Sequence, residues 1–205
     1  MIDLYTWTTP NGRKVSIMLE ELGLPYRTHA INIGKGDQFN PDYVKINPNA
    51  KIPSILDPDG PDGKPVAMME SGAILIYLAG KTGKLLPESI RGRYDALQWL
   101  MFQMGSVGPF FGQVHHFLRA AKQAVPYAIE RYVKETRRLY GVLNDHLKDH
   151  EFLADEYSIA DIATYPWAAR YEWHKTRLED FPNVKRWFDV ISARPAVQRG
   201  MKVPS

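Results

Sequence analysis

The 205-residue chain contains no cysteine. Disulfides, thiolate metal sites and a cysteine nucleophile carried by the protein are thereby excluded. The chain also lacks any apolar run approaching the ~18 residues of a membrane-spanning helix, so no membrane partner is expected. Its first residues have neither the basic region nor the apolar core of a secretion signal, which makes the cytoplasm the expected location. Dense basic runs are missing too. Lys plus Arg number 26 against 23 Asp plus Glu, a net charge of +3, and Arg137-Arg138 stands alone as a basic pair. That charge is too small and too scattered for a nucleic-acid stripe, so no nucleic-acid partner is expected. What remains, 44% hydrophobic and 24% charged residues, is the composition of a soluble globular protein of one to two domains.

Proline, glycine and tryptophan are unevenly spread. Nine of the 15 prolines and 9 of the 15 glycines fall in residues 1–90, whereas four of the five tryptophans follow residue 90. A turn-rich part followed by a helix-rich part predicts two domains: 1–83 as a mixed α/β domain, 84–90 as a linker and 91–205 as an all-α domain. In the first part the pattern predicts a strand over 1–6, a helix over 13–22 stopped by Gly23, a strand over 26–33 and a short helix over 41–45. Strands over 54–57 and 66–69 and a helix over 71–82 follow. The order β-α-β-loop-β-β-α implies a mixed sheet. In the second part, helices are expected over 92–118 with an interruption at Gly105–Pro109, over 127–149, over 159–167 and over 182–193, where Arg194-Pro195 closes the last. Ser158 and Asp161 form a capping box ahead of an apolar run, which predicts a buried helix.

Three junctions carry chemistry. Thr8-Thr9-Pro10-Asn11-Gly12-Arg13 joins the first strand to the first helix, where open N–H groups and the positive end of the helix dipole stabilise an anion, a thiolate included. The plain alternative is a helix cap. Lys51-Ile52-Pro53-Ser54 precedes a strand. With a cis Ile52–Pro53 bond the Ile52 backbone could pair with a peptide-like ligand, whereas a trans bond would make an ordinary edge. Glu70-Ser71-Gly72 joins a strand to a helix: Ser71 as N-cap suits a carboxylate and Glu70 an ammonium, the two ends of an α-amino acid. Capping by Ser71 alone is the simpler reading.

Together these pieces resemble the cytosolic glutathione transferases, a thioredoxin-like domain followed by an all-α domain, over essentially the whole chain. Lys51-Ile52-Pro53, Glu70-Ser71-Gly72-Ala73-Ile74 with Tyr77-Leu78, and Tyr157-Ser158-Ile159-Ala160-Asp161 carry the likeness. Thr9-Pro10-Asn11-Gly12, Gly108-Pro109, Gly112-Gln113, His115-His116-Phe117 and Pro126–Tyr132 resemble the bacterial Nu class. The resemblance implies glutathione as co-substrate, no metal, disulfide reduction with a peroxidase side activity, and a homodimer. It places Thr9 and Asn11 at the glutathione sulfur, and Ile52, beside Pro53, along the cysteinyl backbone. Glu70 and Ser71 then hold the γ-glutamyl end, and Gln38, assisted by Asn49 or Lys51, reaches the glycine end. Tyr5 lies near the sulfur in sequence but within the first strand.

With no cysteine in the chain, the thiol chemistry belongs to glutathione, and disulfide exchange requires two glutathione molecules or direct attack on a bound disulfide. Arg131 is the candidate for a second glutathione carboxylate, since arginine binds carboxylate in two-pronged fashion. A surface salt bridge to Glu130 or Glu135 is the alternative. His115 and His116 are adjacent and do not share a helix face, so packing is the better reading than a metal site. Phe111, Trp167 and Trp173 are either core or the wall of an apolar pocket. Expected partners are small disulfides, peroxides or electrophiles. The competing functions are conjugation of electrophilic xenobiotics and a regulatory protein without turnover.

Overall fold

The computed structural model describes residues 1–204. The chain falls into two units, one built from residues 1–84 together with the segment from Arg194 onward, the other from Leu85–Ala193.

The first unit is a four-stranded sheet with helices. Strand β1 (Ile2–Thr6) leads into helix α1 (Pro10–Leu22), then β2 (Tyr26–Ala30), α2 (Pro41–Ile46), β3 (Ser54–Asp57), β4 (Val66–Met69) and α3 (Ser71–Thr82). The strand order is β2-β1-β3-β4. Strand β1 runs parallel to β2 and antiparallel to β3, with Tyr5 opposite Ser54, and β3 runs antiparallel to β4, with Ser54 opposite Met69. The mixed sheet is the one the element order implied. Leu4, Val15, Ile17, Met18, Leu19, Ile55, Ile74, Leu75 and Leu78 are fully buried and form its core. Helix α1 begins three residues earlier than its apolar spacing suggested, because Pro10 occupies the first helical position, where a missing N–H costs nothing.

A short helix, α9 (Pro195–Gly200), packs along α1. The sequence placed a stop at Arg194-Pro195 and grouped everything after residue 91 with the helical part. The structure instead restarts a helix with Pro195 at its first turn and joins the segment to the first unit. Two ion pairs and a close backbone approach hold it there. Arg194 grips Glu21 with Nε and Nη2 at 2.7 and 2.9 Å, and Arg199 reaches Glu20 at 2.6 Å. A Cβ on Gly200 would lie 2.5 Å from Ile17 Cα, and Ser16 donates to the Gly200 carbonyl at 2.7 Å.

The second unit is helical: α4 (Ile90–Phe102), α5 (Gly108–His115), α6 (Pro126–His146), α7 (Ile159–Ala168) and α8 (Pro182–Ser192). Gly105–Pro109 does not interrupt the first of these. The backbone stays right-handed through a π-helical turn at Gln103–Val107, and another π turn, His116–Ala120, follows α5. Pro109 lies in the first turn of α5, where the wider hydrogen-bonding of a π segment tolerates its missing donor. Every residue of α7 is buried. The expected capping box is present, and Asp161 also accepts from Leu153 N at 3.0 Å and from Trp187 Nε1 at 2.8 Å. This carboxyl therefore ties together the chain before α7, the start of α7 and the side of α8. Burial outweighs those hydrogen bonds and holds its pKa up at about 6.

His174 is fully buried against Phe111, with ring centroids 4.8 Å apart. Neither ring nitrogen has a hydrogen-bond partner among the described residues. Burial, reinforced by His115 and Arg170, pushes its pKa down to about 3. The folded pKa lies below the unfolded value near 6.5, so the unfolded chain binds the proton first. His174 thus lowers stability progressively as pH falls from about 6.5 towards 3. Asp161, whose folded pKa is raised, acts in the opposite sense and favours the folded state at low pH. Comparing a variant with wild type isolates the histidine. His174→Leu is expected to be the more stable protein, with its advantage widening by up to about 1.4 kcal/mol per pH unit below pH 6.5. Urea melts at pH 7.5, 6 and 5 check this; a constant difference across that range would refute it.

Candidate active site

The topology of the first unit sends the predicted residues to one edge of the sheet. Because β3 opposes both β1 and β4, the last two run in the same direction. The C-terminal ends of β1 and β4 and the N-terminal end of β3 therefore share an edge, and parallel β2 ends there as well. The segments leaving or entering that edge are Trp7–Thr9 ahead of α1, Gln38 in the stretch after β2, Asn49–Pro53 ahead of β3, and Glu70-Ser71 at the start of α3.

At the first junction Thr9 is the N-cap of α1, and its Oγ1 accepts from Gly12 N at 3.2 Å. The capping alternative is thus realised, yet the hydroxyl proton stays available to a further acceptor. Asn11 sits in the first turn, half-buried. Gly12 is required by close approach: a Cβ there would overlap Thr6 Oγ1 and the Trp7 carbonyl oxygen. The turn from β1 into α1 is consequently as tight as the backbone allows.

At the second junction the Ile52–Pro53 peptide is cis. The Lys51 carbonyl accepts from Tyr43 Oη and from Asn47 Nδ2, and both donors also reach Ser54 Oγ, at 3.1 and 3.0 Å. This buried network pins the chain on both sides of Ile52. The Ile52 N–H and C=O themselves make no hydrogen bond among the described residues. Lys51, its carbonyl already engaged, keeps an exposed side chain for any ligand. Asn49 is also exposed, with its N–H on Asn47 Oδ1 at 2.9 Å. Gln38 is half-buried, and its Oε1 is buried without a partner among the described residues.

The third junction corrects one expectation. The N-cap of α3 is Glu70, not Ser71, and Glu70 makes no side-chain cap. Its φ of 67° places a non-glycine residue in the left-handed range, a local cost of about 1–3 kcal/mol that tends to persist only where the surroundings enforce it. Ser71 is instead the first helical residue, buried, and its Oγ accepts from Lys14 Nζ at 3.2 Å. The first N–H groups of α3 therefore face an edge with no side-chain cap on them. Lys14, buried against the start of α3, is a residue that the sequence pattern did not single out. Its signal was position: it precedes Ile17 and Met18 by three and four residues, on the buried face of α1.

Tyr5 is not part of this edge chemistry. Its ring stacks on His29 at 4.5 Å, burial raises its pKa, and it lines a shallow pocket of about 370 Å³ with Ile31 and Tyr43.

Arg131 lies in the second unit, on α6, in a groove of about 560 Å³ lined by Phe110, Tyr127, Lys134 and Arg138 among others. The alternative, a surface salt bridge to Glu135, is not formed: Glu135 is taken by Arg138 at 2.7 and 2.9 Å. Arg131 and Lys134 make no ion pair among the described residues. Of the aromatic candidates, Phe111 and Trp167 are buried, while Trp173 is 36% exposed beneath the guanidinium groups of Arg119 and Arg170. His115 packs on Trp173 at 4.9 Å. No metal-binding group of three ligating side chains occurs among the described residues.

A four-stranded mixed sheet with helices, accompanied by a helical unit, is the architecture of the glutathione transferases. The chain belongs to the glutathione S-transferase family: residues 8–81 match the family's N-terminal domain and residues 110–195 its C-terminal domain. It is 49% identical over 98% of its length to the disulfide-bond oxidoreductase YfcG of Escherichia coli, covering 94% of that protein. A Pseudomonas putida glutathione transferase solved with one glutathione disulfide per subunit superposes with a TM-score of 0.96 at 48% identity, covering 100% of this chain and 92% of that one. A Burkholderia graminis glutathione transferase with two glutathione molecules per subunit gives 0.94 at 50% identity, covering 100% of this chain and 88% of that one.

Two variants test the junction geometry. Gly12→Ala is expected to destabilise the protein by about 1–3 kcal/mol, the usual cost of forced overlap, and to abolish stabilisation by added glutathione. Tyr5→Phe is expected to change neither. Thermal melts with and without glutathione read both; a glutathione shift that survives in Gly12→Ala would show that the tight turn is dispensable.

Proposed function

We propose that this protein is a glutathione-dependent disulfide-bond reductase with a peroxidase side activity, in which two glutathione molecules supply both thiols. The observation that carries the reading is the assembly of three ligand-ready features on one sheet edge: the Thr9 cap, the free Ile52 backbone and the uncapped start of α3. They suit one extended γ-glutamyl tripeptide. The Ile52 N–H and C=O pair with the cysteinyl residue as an added strand would. The N–H groups of α3 and the Ser71 hydroxyl hold the α-carboxylate, and Glu70 holds the ammonium. Gln38, whose side-chain amide has an orphaned oxygen, meets the glycine end with Asn49 and Lys51.

The sulfur then lies at the N-terminus of α1. Thr9 Oγ1 donates to the thiolate while accepting from Gly12, and Asn11 adds an N–H. The thiolate attacks one sulfur of a substrate disulfide, giving a glutathione mixed disulfide and releasing one substrate thiolate, which takes up a proton. The second glutathione thiolate attacks the glutathione sulfur of that mixed disulfide, releasing the other substrate thiolate and leaving glutathione disulfide. Arg131, which makes no close ion pair among the described residues although its charge is felt by Glu135, suits a carboxylate of the second glutathione. The relatives' glutathione disulfide and paired glutathione molecules accord with this stoichiometry.

Turnover of 2-hydroxyethyl disulfide with glutathione, coupled to glutathione reductase, tests the reading. Thr9→Ala and Asn11→Ala are each expected to lower kcat/KM by tenfold or more, in keeping with the loss of a hydrogen bond to a charged sulfur, about 1.5–3 kcal/mol. Arg131→Ala should raise the glutathione concentration needed for half-maximal rate while leaving the affinity for one glutathione unchanged. Robust conjugation to an aryl halide with little disulfide turnover would replace this reading with the xenobiotic one.

The functional form is a homodimer in the cytoplasm. Ile90, Tyr94 and Met101 are 77%, 67% and 53% exposed on α4. Their spacing puts them on one helix face, an apolar stripe suited to a second copy. Light scattering is expected to give twice 23.4 kDa for wild type and a monomer for Tyr94→Asp; an unaltered dimer would move the interface elsewhere.

A further inference from the structure

Trp173 lies in the helical unit, in the short turn Tyr171–His174 that follows α7, and is 36% exposed. Arg119, from the π turn after α5, and Arg170, from the start of the Trp173 turn, place their guanidinium carbons 4.6 and 4.4 Å from the centre of its ring. The His115 ring packs on the same indole at 4.9 Å. Each guanidinium is attracted by the electron-rich ring. The two charges nevertheless stand within about one Debye length of each other, ~10 Å at 0.1 M salt, and repel.

No carboxylate offsets them. The sequence carries no Asp or Glu from residue 96 to residue 129. Around α7 and the turn after it, Asp161 is buried and holds Leu153, Ser158 and Trp187. Glu172 adjoins Trp173 but is exposed and makes no ion pair among the described residues. The neighbouring histidines register the sign of the local field. Burial lowers the pKa of His115, and Arg170, Arg119 and His116 lower it further. Burial likewise lowers His174, with His115 and Arg170 adding to the effect. No acidic group opposes the shift of either ring. Arg170 has further interactions and enters as a fixed positive charge. Arg119 is exposed, and its side chain makes no hydrogen bond or ion pair among the described residues beyond its stacking on the indole.

We propose that Arg119, Arg170 and Trp173 form a binding site for an aromatic carboxylate on the helical unit. Arg119 grips the carboxylate with its planar N–H fork. Stacking on the indole holds that fork in place before the ligand arrives, so less freedom is lost on binding. Arg170 adds long-range attraction, and the anion offsets the repulsion between the two guanidinium groups. The exposed part of the indole gives the ligand's ring an apolar neighbour. A carboxylate without a ring would meet Arg119 and forgo that contact. The site needs none of the residues assigned to glutathione, and it shares no residue with the groove of Arg131.

Titration calorimetry of the full chain with 1-naphthoate, beside its neutral amide 1-naphthamide, tests the site. Wild type is expected to bind one naphthoate per chain, about tenfold or more tighter than the amide, and to lose affinity as salt is raised. Arg119→Gln and Trp173→Leu should each bring naphthoate down to the level of the amide. Both side chains are exposed, so both variants should melt as wild type does. Arg119→Lys keeps the charge without the fork and should fall between wild type and Arg119→Gln. Arg131→Ala should bind naphthoate as wild type does. Equal affinity for acid and amide, or no binding of naphthoate, would overturn the proposal with no variant required. Wild-type affinity in either Arg119→Gln or Trp173→Leu would overturn it as well, and loss of binding in Arg131→Ala would move the ligand to the α6 groove.

Discussion

The direction of β3 is the constraint on which the rest of the first unit depends. Because this one strand runs against both of its neighbours, β1 and β4 end at the same edge where β3 begins. Helices α1 and α3, which follow β1 and β4, must then start at that edge. Their N-termini bring positive dipole ends to the two sides of the segment entering β3. Ligands of open α/β sheets gather at such carboxyl ends for the same reason. No long-range design is needed to unite Thr9, Ile52 and Ser71, since strand pairing already does it. The Tyr43–Asn47–Ser54 network adds only the rigidity that keeps the Ile52 backbone open.

The absence of cysteine decides how the protein can act on sulfur. It contributes no thiol, so its influence on a bound thiolate is electrostatic. A helix N-terminus supplies about 0.3–1 kcal/mol to a nearby anion. A hydrogen bond to a charged group supplies about 1.5–3 kcal/mol. Lowering a thiol pKa by one unit takes about 1.4 kcal/mol. With the sulfur placed at Thr9 as proposed, the hydroxyl is therefore the larger contributor and the dipole the smaller one. The cap geometry makes the two cooperate, because the hydroxyl that accepts from Gly12 is held with its proton free. Gly12 serves this arrangement by letting the chain turn from β1 into α1 within van der Waals distance of Thr6 and Trp7.

Much of this was legible in the residues. Strands β3 and β4 and helix α3 fall where Pro53, the turn signature of residues 57–64 and the Gly83 stop put them, and the Ser158–Asp161 box marks α7 correctly. These signals are local, so a local reading finds them. The failures share a different cause. Ser71 has the chemistry of an N-cap but not its backbone, because the register of β4 against β3 carries the strand to Met69 and leaves Glu70 to make the turn at positive φ. Gly105 and Pro109 have the chemistry of a break, but the packing of α4, α5 and α7 keeps the helix continuous through a π turn. Helix α9 begins with Pro195 at its first turn, yet nothing in its sequence names α1 as its partner. Lys14 was hidden because a lysine beside an arginine reads as a solvated face, and only the position of α3 buries it.

Three local costs meet at the start of α3. Glu70 is held in a backbone conformation that glycine would adopt more cheaply. The helix lacks a side-chain cap, forgoing the ~1 kcal/mol that a serine, threonine or aspartate in that place would return. Lys14 lies buried beside an end that is already positive. Each could be relieved by a single substitution, and on the proposed γ-glutamyl assignment two of those reliefs would remove something the ligand needs: the carboxylate for its ammonium and the open N–H groups for its carboxylate. A helix end built for stability alone would carry none of the three. Their coincidence at the sheet edge that also holds the Thr9 cap and the open Ile52 backbone marks the place where stability has been given up for binding.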